Sequence, residues 1–128
     1  MAPANSASEH EIPLWSEPAL QQLRALQAQN PAVVQEIVQL FQGDSQRLVT
    51  ELRAAVEAGD ADAVSRLGHE LLGASGTVGA ERMATLAERL KDMFKAGDIE
   101  AATARLVQLE QALELTHRTF TQALQDPP

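Results

Sequence analysis

Residues 67–80 of this chain read LGHELLGASGTVGA. Leu67, Leu71 and Val78 recur at helical spacing, so the stretch predicts an α-helix with one apolar stripe. The other positions include His69 and several glycines, although a glycine inside a helix costs about 1 kcal/mol relative to alanine. Because helix propensity does not explain this composition, we expect another molecule to come close to His69.

A helical wheel places this histidine away from the apolar stripe. At about 100° per residue from Val64, Leu71 lies about 20° away, whereas His69 lies about 140° away. Gly73 and Gly76 fall on the same flank as His69. The pattern predicts an exposed imidazole beside a shallow notch at Gly73, through which a partner side chain reaches a ring nitrogen.

The chain before this stretch predicts two helices. Trp15, the single tryptophan, is expected to pack as an apolar anchor just before Ser16, which is a good N-cap residue. The first helix then ends near residues 30–31, where an Asn-Pro pair stands. The second helix runs from residue 31 to about residue 58.

Glycines predict where the helices break. Gly59, Gly79 and Gly97 each follow an apolar periodic segment, as helix-ending glycines do. At Gly43 two alternatives stay open, a bend in one continuous helix or a break with Asp44 as a second cap, and we favour the bend. The three later helices are expected over residues 61–78, 80–95 and 99–124.

This order of elements predicts an all-α fold. No segment alternates as a strand does, and junctions this short make neighbouring helices antiparallel. We therefore expect an antiparallel up-down four-helix bundle with an additional short N-terminal helix. Residues 1–15 are expected to form a flexible N-terminal tail, and residues 16–126 a single bundle domain. The expected core of the last three helices is apolar and consists of Val64, Leu67, Leu71, Val78, Met83, Leu86, Leu90, Met93, Phe94, Ile99, Leu106, Leu109, Leu113 and Phe120.

Composition excludes several classes of site and partner. The chain has no cysteine, so thiolate metal sites and disulfides are excluded. Neither a secretory signal nor an apolar run of membrane-spanning length is visible, so we expect a cytoplasmic protein that engages no membrane. The net charge of −8 argues against nucleic acid as the main partner and favours a soluble monomer.

Half of the ten basic residues lie between residues 66 and 95, together with four acidic ones. Two interpretations of this local balance stay open. The bases form ordinary ion pairs along helix surfaces, or they form an anion site near His69 on an otherwise acidic protein.

The three histidines do not predict a metal site. His10, His69 and His117 are far apart in sequence, and no Cys accompanies them. His117 follows Leu113 by four residues, which predicts a packing role at the edge of the last helix's stripe. A neutral imidazole is a nucleophile near physiological pH and can hold a phosphoryl group as a phosphoramidate. Phosphoryl transfer usually needs Mg²⁺, and no carboxylate cluster accompanies His69, so a partner would supply the metal.

The motif HxLxGxSGxVGA at residues 69–80 resembles the signature of histidine phosphotransfer (HPt) domains. Gly59, Asp60 and Leu67 upstream and residues 87–90 downstream also fit, and the resemblance covers roughly residues 33–115. It implies that His69 accepts a phosphoryl group from a receiver-domain aspartate and passes it to another receiver. The implied partners are receiver domains of response regulators or hybrid histidine kinases. It also implies a phosphoryl carrier rather than an enzyme, with no cofactor of its own and Mg²⁺ on the receiver.

One position departs from this family pattern. Leu72 stands where the family usually has a lysine, so the site loses a charge-assisted contact worth about 1.5–3 kcal/mol. A chain reversal after this helix puts His69 level with about residue 90 of the next helix. We therefore expect Lys91 and Lys95, with Arg66 as a third candidate, to replace the missing lysine. The expected docking face consists of His69, Leu72, Gly73, Gly76, Arg66, Lys91 and Lys95.

Two alternatives to phosphotransfer stay open. The first is a non-transferring HPt-like bundle that binds a receiver or a histidine kinase and regulates it by occupancy, which Leu72 favours. The second is a helical adaptor without a phosphorelay, in which the glycines only permit close packing of helices.

Overall fold

The computed structural model describes residues 12–125, which contain five α-helices and no strand within that range. The helices are α1 (Glu17–Gln29), α2 (Pro31–Ala58), α3 (Ala61–Val78), α4 (Glu81–Lys95) and α5 (Ile99–Gln125). The all-α prediction is confirmed, and α2 runs through Gly43 without interruption. The alternative of a helix split at that glycine is therefore wrong.

Local signals set the ends of most helices. The side chains of Ser16, Asn30 and Asp60 accept hydrogen bonds from backbone amides in the first turns of α1, α2 and α3. Such N-caps satisfy donors that the helix itself leaves unpaired. At the other ends, Gly59 and Gly79 adopt left-handed backbone conformations with φ of 68° and 78°, which glycine tolerates best.

The bundle consists of four antiparallel helices, α2, α3, α4 and α5. α3 packs against α2 and α4, and α5 packs against α4 and α2, so the four helices close into a ring. α1 lies mainly against α2 and also contacts α5. Within the range that the structure describes, no helix combines the length and the hydropathy needed to cross a membrane.

The predicted core is largely confirmed, with two exceptions at the end of the bundle where α4 meets α5. Met93 is only partly buried, and Ile99 is 46% exposed. Ile99 is the first residue of α5, and helical side chains lean towards the N-terminus of their helix. Its side chain therefore extends beyond the bundle end instead of into the core.

The predicted boundary of the N-terminal tail, at residue 15, lies too late in the chain. Residues 1–11 lie outside the described residues, but residues 12–15 pack against the bundle. Ile12 is only 8% exposed, and the Trp15 ring stacks on Phe120 with a centroid separation of 5.8 Å and an angle of 17°. The anchoring role predicted for Trp15 is confirmed. Composition predicted a loose tail because it does not show that the side chains of Ile12 and Trp15 pack against the bundle.

Candidate functional site

His69 lies in the middle of α3 and is exposed. The buried positions of the same helix, including Val64, Leu67 and Leu71, form a separate stripe that faces the core. The wheel's prediction of an exposed imidazole is confirmed. Within residues 12–125, no hydrogen bond or ion pair engages this ring, so both its nitrogens are open to an approaching group.

The glycine flank beside His69 is open. Gly73 and Gly76 are both exposed, and a Cβ atom built on either would meet nothing within 4 Å. Packing inside this chain therefore does not require these two glycines, and helix propensity opposes them. The adaptor hypothesis explained them by close packing of helices, and the helices of this chain provide no such contact. No side chain of these two residues therefore obstructs the approach to the imidazole from this side.

A third glycine, Gly68, contacts α4 and was not among the predicted site residues. A Cβ built on Gly68 would lie 3.3 Å from Lys91 Cβ and 3.6 Å from both Cγ and Cδ of that lysine. The aliphatic stem of Lys91 therefore crosses α3 at the residue just before His69. This contact has the register that the predicted antiparallel pairing of α3 and α4 implied.

The other predicted bases differ in their surroundings. Arg66 is exposed and lies 3.9 Å from the Glu70 carboxylate, an i,i+4 pair on the helix surface worth at most about 0.5 kcal/mol. Lys95 is exposed at the last residue of α4, and Leu72 is half-buried on α3. Of the three candidates, Lys91 is the one whose stem lies against Gly68, the residue next to His69.

One base of the 66–95 segment is not available on the surface. Arg82 is 9% exposed, and its Nε donates a 2.9 Å hydrogen bond to the Ile12 carbonyl. Sequence alone did not separate this buried arginine from the exposed ones, because its partner is far away in the chain. The bases of this segment that remain on the surface are Arg66, Arg89, Lys91 and Lys95, which equal its four acidic residues in number.

His117 occupies a different environment on α5. It is half-buried, its ring contacts Phe41 edge-on at 5.8 Å, and its Nε2 lies 2.8 Å from Ser45 Oγ. The Ser45 hydroxyl donates its one hydrogen to the Phe41 carbonyl at 2.6 Å, so Nε2 of His117 is the donor to Ser45. Desolvation lowers the pKa of His117. The predicted packing role is confirmed.

Carboxylates do not gather with the histidines. Within residues 12–125, no three side chains of the His, Asp and Glu types are close enough to hold a metal ion together. Glu70, the residue after His69, is exposed and pairs with Arg66.

His69 is thus an exposed imidazole on α3, bordered by two open glycines and by the stem of Lys91, and a ring nitrogen in this position can act as a nucleophile. The Hpt domain model matches residues 36–119, and the chain belongs to the Hpt domain family. No curated protein matches the chain.

Two solved structures show the same fold. Histidine-containing phosphotransfer protein B from Pseudomonas aeruginosa is 26% identical with a TM-score of 0.77, over 91% of this chain and 98% of that one. A histidine-containing phosphotransfer protein from maize is 26% identical with a TM-score of 0.78, over 88% of this chain and 84% of that one. Family and fold together support a phosphotransfer protein of phosphorelays, a phosphocarrier rather than a classical enzyme, in a family whose partners include receiver domains.

Proposed function

We propose that His69 accepts a phosphoryl group from the phosphorylated aspartate of one receiver domain and passes it to the aspartate of another. The observation that carries this proposal is the exposed, unengaged imidazole of His69 beside the open surface at Gly73 and Gly76. This position lies inside the segment that matches the Hpt domain. The receivers would belong to response regulators or hybrid histidine kinases.

The transfer is a substitution at phosphorus. A ring nitrogen of neutral His69 donates its electron pair to form the N–P bond, while the P–O bond to the aspartate breaks and its electron pair leaves with the carboxylate. The proton on the other ring nitrogen balances the charge and can pass to solvent. The return step is the same reaction in reverse, with the aspartate of the second receiver as nucleophile.

The divalent cation that such a transfer needs is proposed to come with the receiver. Mg²⁺ prefers several carboxylate or phosphate oxygens, and it would neutralise charge on the equatorial oxygens of the phosphoryl group. In this proposal, α3 and α4 present the nucleophile and a surface that carries Lys91, Lys95 and Arg66. That surface complements a receiver pocket whose charge is partly acidic.

Lys91 is proposed to supply the positive charge that Leu72 does not. The Lys91 stem already lies against Gly68, so less side-chain entropy is lost when its ammonium engages a phosphoryl group at His69. Lys95 and Arg66 have weaker support, because Lys95 is exposed one helical turn further along and Arg66 pairs with Glu70. We assign these two a supporting role in receiver docking.

The direct experiment mixes the purified chain with a receiver domain that carries radiolabelled aspartyl phosphate and Mg²⁺. The wild-type chain is expected to acquire acid-labile, base-stable label, whereas His69→Gln acquires none. His117→Gln is the matched control, since it removes an imidazole from another helix, and it is expected to acquire the label. Wild-type protein that stays unlabelled with several receivers would contradict the proposal.

The non-transferring regulator stays a second candidate because one observation favours it. Leu72 is half-buried and places an apolar side chain where a charged contact to the phosphoryl group would help. The same mixture separates the two candidates if binding is measured together with label. A stable complex with the receiver and no label on the chain would favour the regulator.

A further inference from the structure

The beginning of α4 lacks the local cap that the other helices have. Its N-cap position is Ala80, whose side chain cannot accept a hydrogen bond, whereas α1, α2 and α3 begin with Ser16, Asn30 and Asp60. The first amides of a helix have no acceptor within the helix, and leaving them unpaired is unfavourable when the site is buried. Ala80 and the two residues after Glu81 are buried.

A segment near the N-terminus supplies one of the missing acceptors, at the Arg82 amide, and also binds the Arg82 side chain. We call residues 12–16 the strap. The Leu14 carbonyl accepts a 3.4 Å hydrogen bond from the Arg82 amide, and the Ile12 carbonyl accepts a 2.9 Å bond from Arg82 Nε. In the opposite direction, the Ser16 amide donates to the Gly79 carbonyl at 2.7 Å.

Packing holds the strap at the same place. A Cβ built on Gly79 would lie only 2.4 Å from Ala19 Cβ, so the start of α1 lies directly on the turn between α3 and α4. The Trp15 ring stacks on Phe120 of α5. The strap therefore joins the end of α3, the start of α4 and the side of α5 at one end of the bundle.

We propose that the strap is a detachable cap for α4, and that its docking keeps the α3–α4 hairpin competent for phosphoryl transfer. Among residues 12–125, three hydrogen bonds to Gly79 and Arg82 and two apolar side chains hold it on the α3–α4 hairpin and α5, so it can open without unfolding the bundle core. When it opens, the first turn of α4 loses its acceptor at Arg82, and α4 shifts more freely against α3. The contact of Lys91 with Gly68 is formed between these two helices. The effect on transfer rests on the proposed function of His69, whereas the capping itself does not.

The experiment uses the full chain with Arg82→Met, which keeps an apolar stem and removes the Nε donor. Arg89→Met is the matched control, because it removes the same charge from the same helix at a partly buried position away from the strap. Two readouts follow the strap: amide hydrogen exchange at Arg82 and Ser16, and acrylamide quenching of Trp15, the only tryptophan. A third readout is the rate at which His69 acquires label from a phosphorylated receiver.

In Arg82→Met we expect exchange at the amides of residue 82 and Ser16 to rise at least tenfold, and Trp15 quenching to increase. Helix content should be retained, and the labelling rate should fall several-fold. Arg89→Met should match the wild type in all three readouts. Unchanged exchange and quenching in Arg82→Met would overturn the capping inference. Increased exchange with an unchanged labelling rate would overturn the coupling to transfer. If the wild-type chain takes no label, the proposed function fails with the coupling, whereas the capping result stands alone.

A second variant separates capping from other effects of Arg82. Ala80→Ser adds a side-chain acceptor at the N-cap of α4, and we expect it to protect the Met83 amide in the Arg82→Met background. The labelling rate should recover while Trp15 stays accessible to acrylamide. If the Met83 amide gains protection and the labelling rate stays low, capping is not the property on which transfer depends.

Discussion

The two histidines within the described residues lie on opposite sides of the bundle and show what the same side chain does in two environments. His69, on the α3–α4 side, is exposed and borders glycines that leave open space. His117, on the α2–α5 side, is half-buried, hydrogen-bonded to Ser45 and packed against Phe41. Within residues 12–125 the His69 ring forms no hydrogen bond, whereas the Nε2 of His117 is hydrogen-bonded to Ser45.

The charged side chains on the two sides of the bundle also differ in whether they form ion pairs. Between α2 and α5 lies an open groove of about 800 Å³, in which Arg53 binds Glu110 through two 2.6 Å hydrogen bonds. Lys91, on the other side, forms no ion pair with any acid among residues 12–125. Paired charges and a bonded imidazole stabilise a structure, whereas a lysine and an exposed imidazole on neighbouring helices, neither of them paired within residues 12–125, suit a transient anion.

The largest expected effect tests the difference between the imidazoles directly. His69→Gln should lose all acid-labile label and keep the wild-type thermal unfolding midpoint, because its side chain is exposed. His117→Gln should keep the label and unfold at a lower temperature, since it loses the bond to Ser45 and the edge contact with Phe41. Label assays and thermal unfolding followed by circular dichroism measure both. If the two variants exchange these phenotypes, the comparison is wrong.

The next effect concerns the turn beside the strap. Gly79→Ala should destabilise the fold by about 2–4 kcal/mol, since it forces a side chain into a left-handed conformation and against Ala19 Cβ. Gly73→Ala, inside α3, should be neutral or stabilising by up to about 1 kcal/mol, because its Cβ meets open space. Urea unfolding of both variants measures the difference. Equal stabilities would show that Gly79 does not have the close contact described above.

A smaller effect tests the role of the lysines. Lys91→Ala should slow labelling of His69 about tenfold, the lower end expected for loss of a charge-assisted contact at a half-exposed site. Lys95→Ala should have a weaker effect, and the lifetime of the phosphohistidine should shorten with Lys91→Ala. If the double variant Lys91→Ala plus Lys95→Ala changes neither the labelling rate nor the phosphohistidine lifetime, the lysines do not replace the charge missing at Leu72.

The smallest effect is a pH dependence that belongs to His117. Burial lowers its pKa in the folded chain below the ordinary value of 6.5, so the unfolded chain binds more protons as the pH falls below that value. Stability from this group is therefore present above about pH 6.5 and is lost as acidification passes through the lowered pKa. Urea unfolding across pH 5–8 should show this loss in the wild type and in His69→Gln, and a weaker slope in His117→Phe. An unaltered slope in His117→Phe would assign the dependence to other groups.

Much of the bundle was predictable because its signals are local. Ser16, Asp60 and the left-handed Gly59 and Gly79 mark helix ends through interactions within a few residues. The exposure of His69 follows from helical periodicity alone. Such features require no knowledge of which helix packs against which.

What was missed depends on contacts between distant parts of the chain. Arg82 appeared as one of five local bases, but its burial under the strap follows from a contact 70 residues away. The Gly68–Lys91 contact needs the distance between two helix axes, which periodicity does not provide. Ile99 was misplaced because an apolar residue at the first position of a helix can extend past the end of the core.

The central claim is that His69 carries a phosphoryl group between two receivers, and one chase experiment tests it most directly. The chain is labelled by a first phosphorylated receiver, purified from it, and mixed with an unphosphorylated second receiver in Mg²⁺. We predict that label appears on the second receiver as it disappears from His69, in equal amounts and faster than the phosphohistidine hydrolyses. Label that stays on the chain until it is lost as inorganic phosphate, with every receiver tested, would contradict the account.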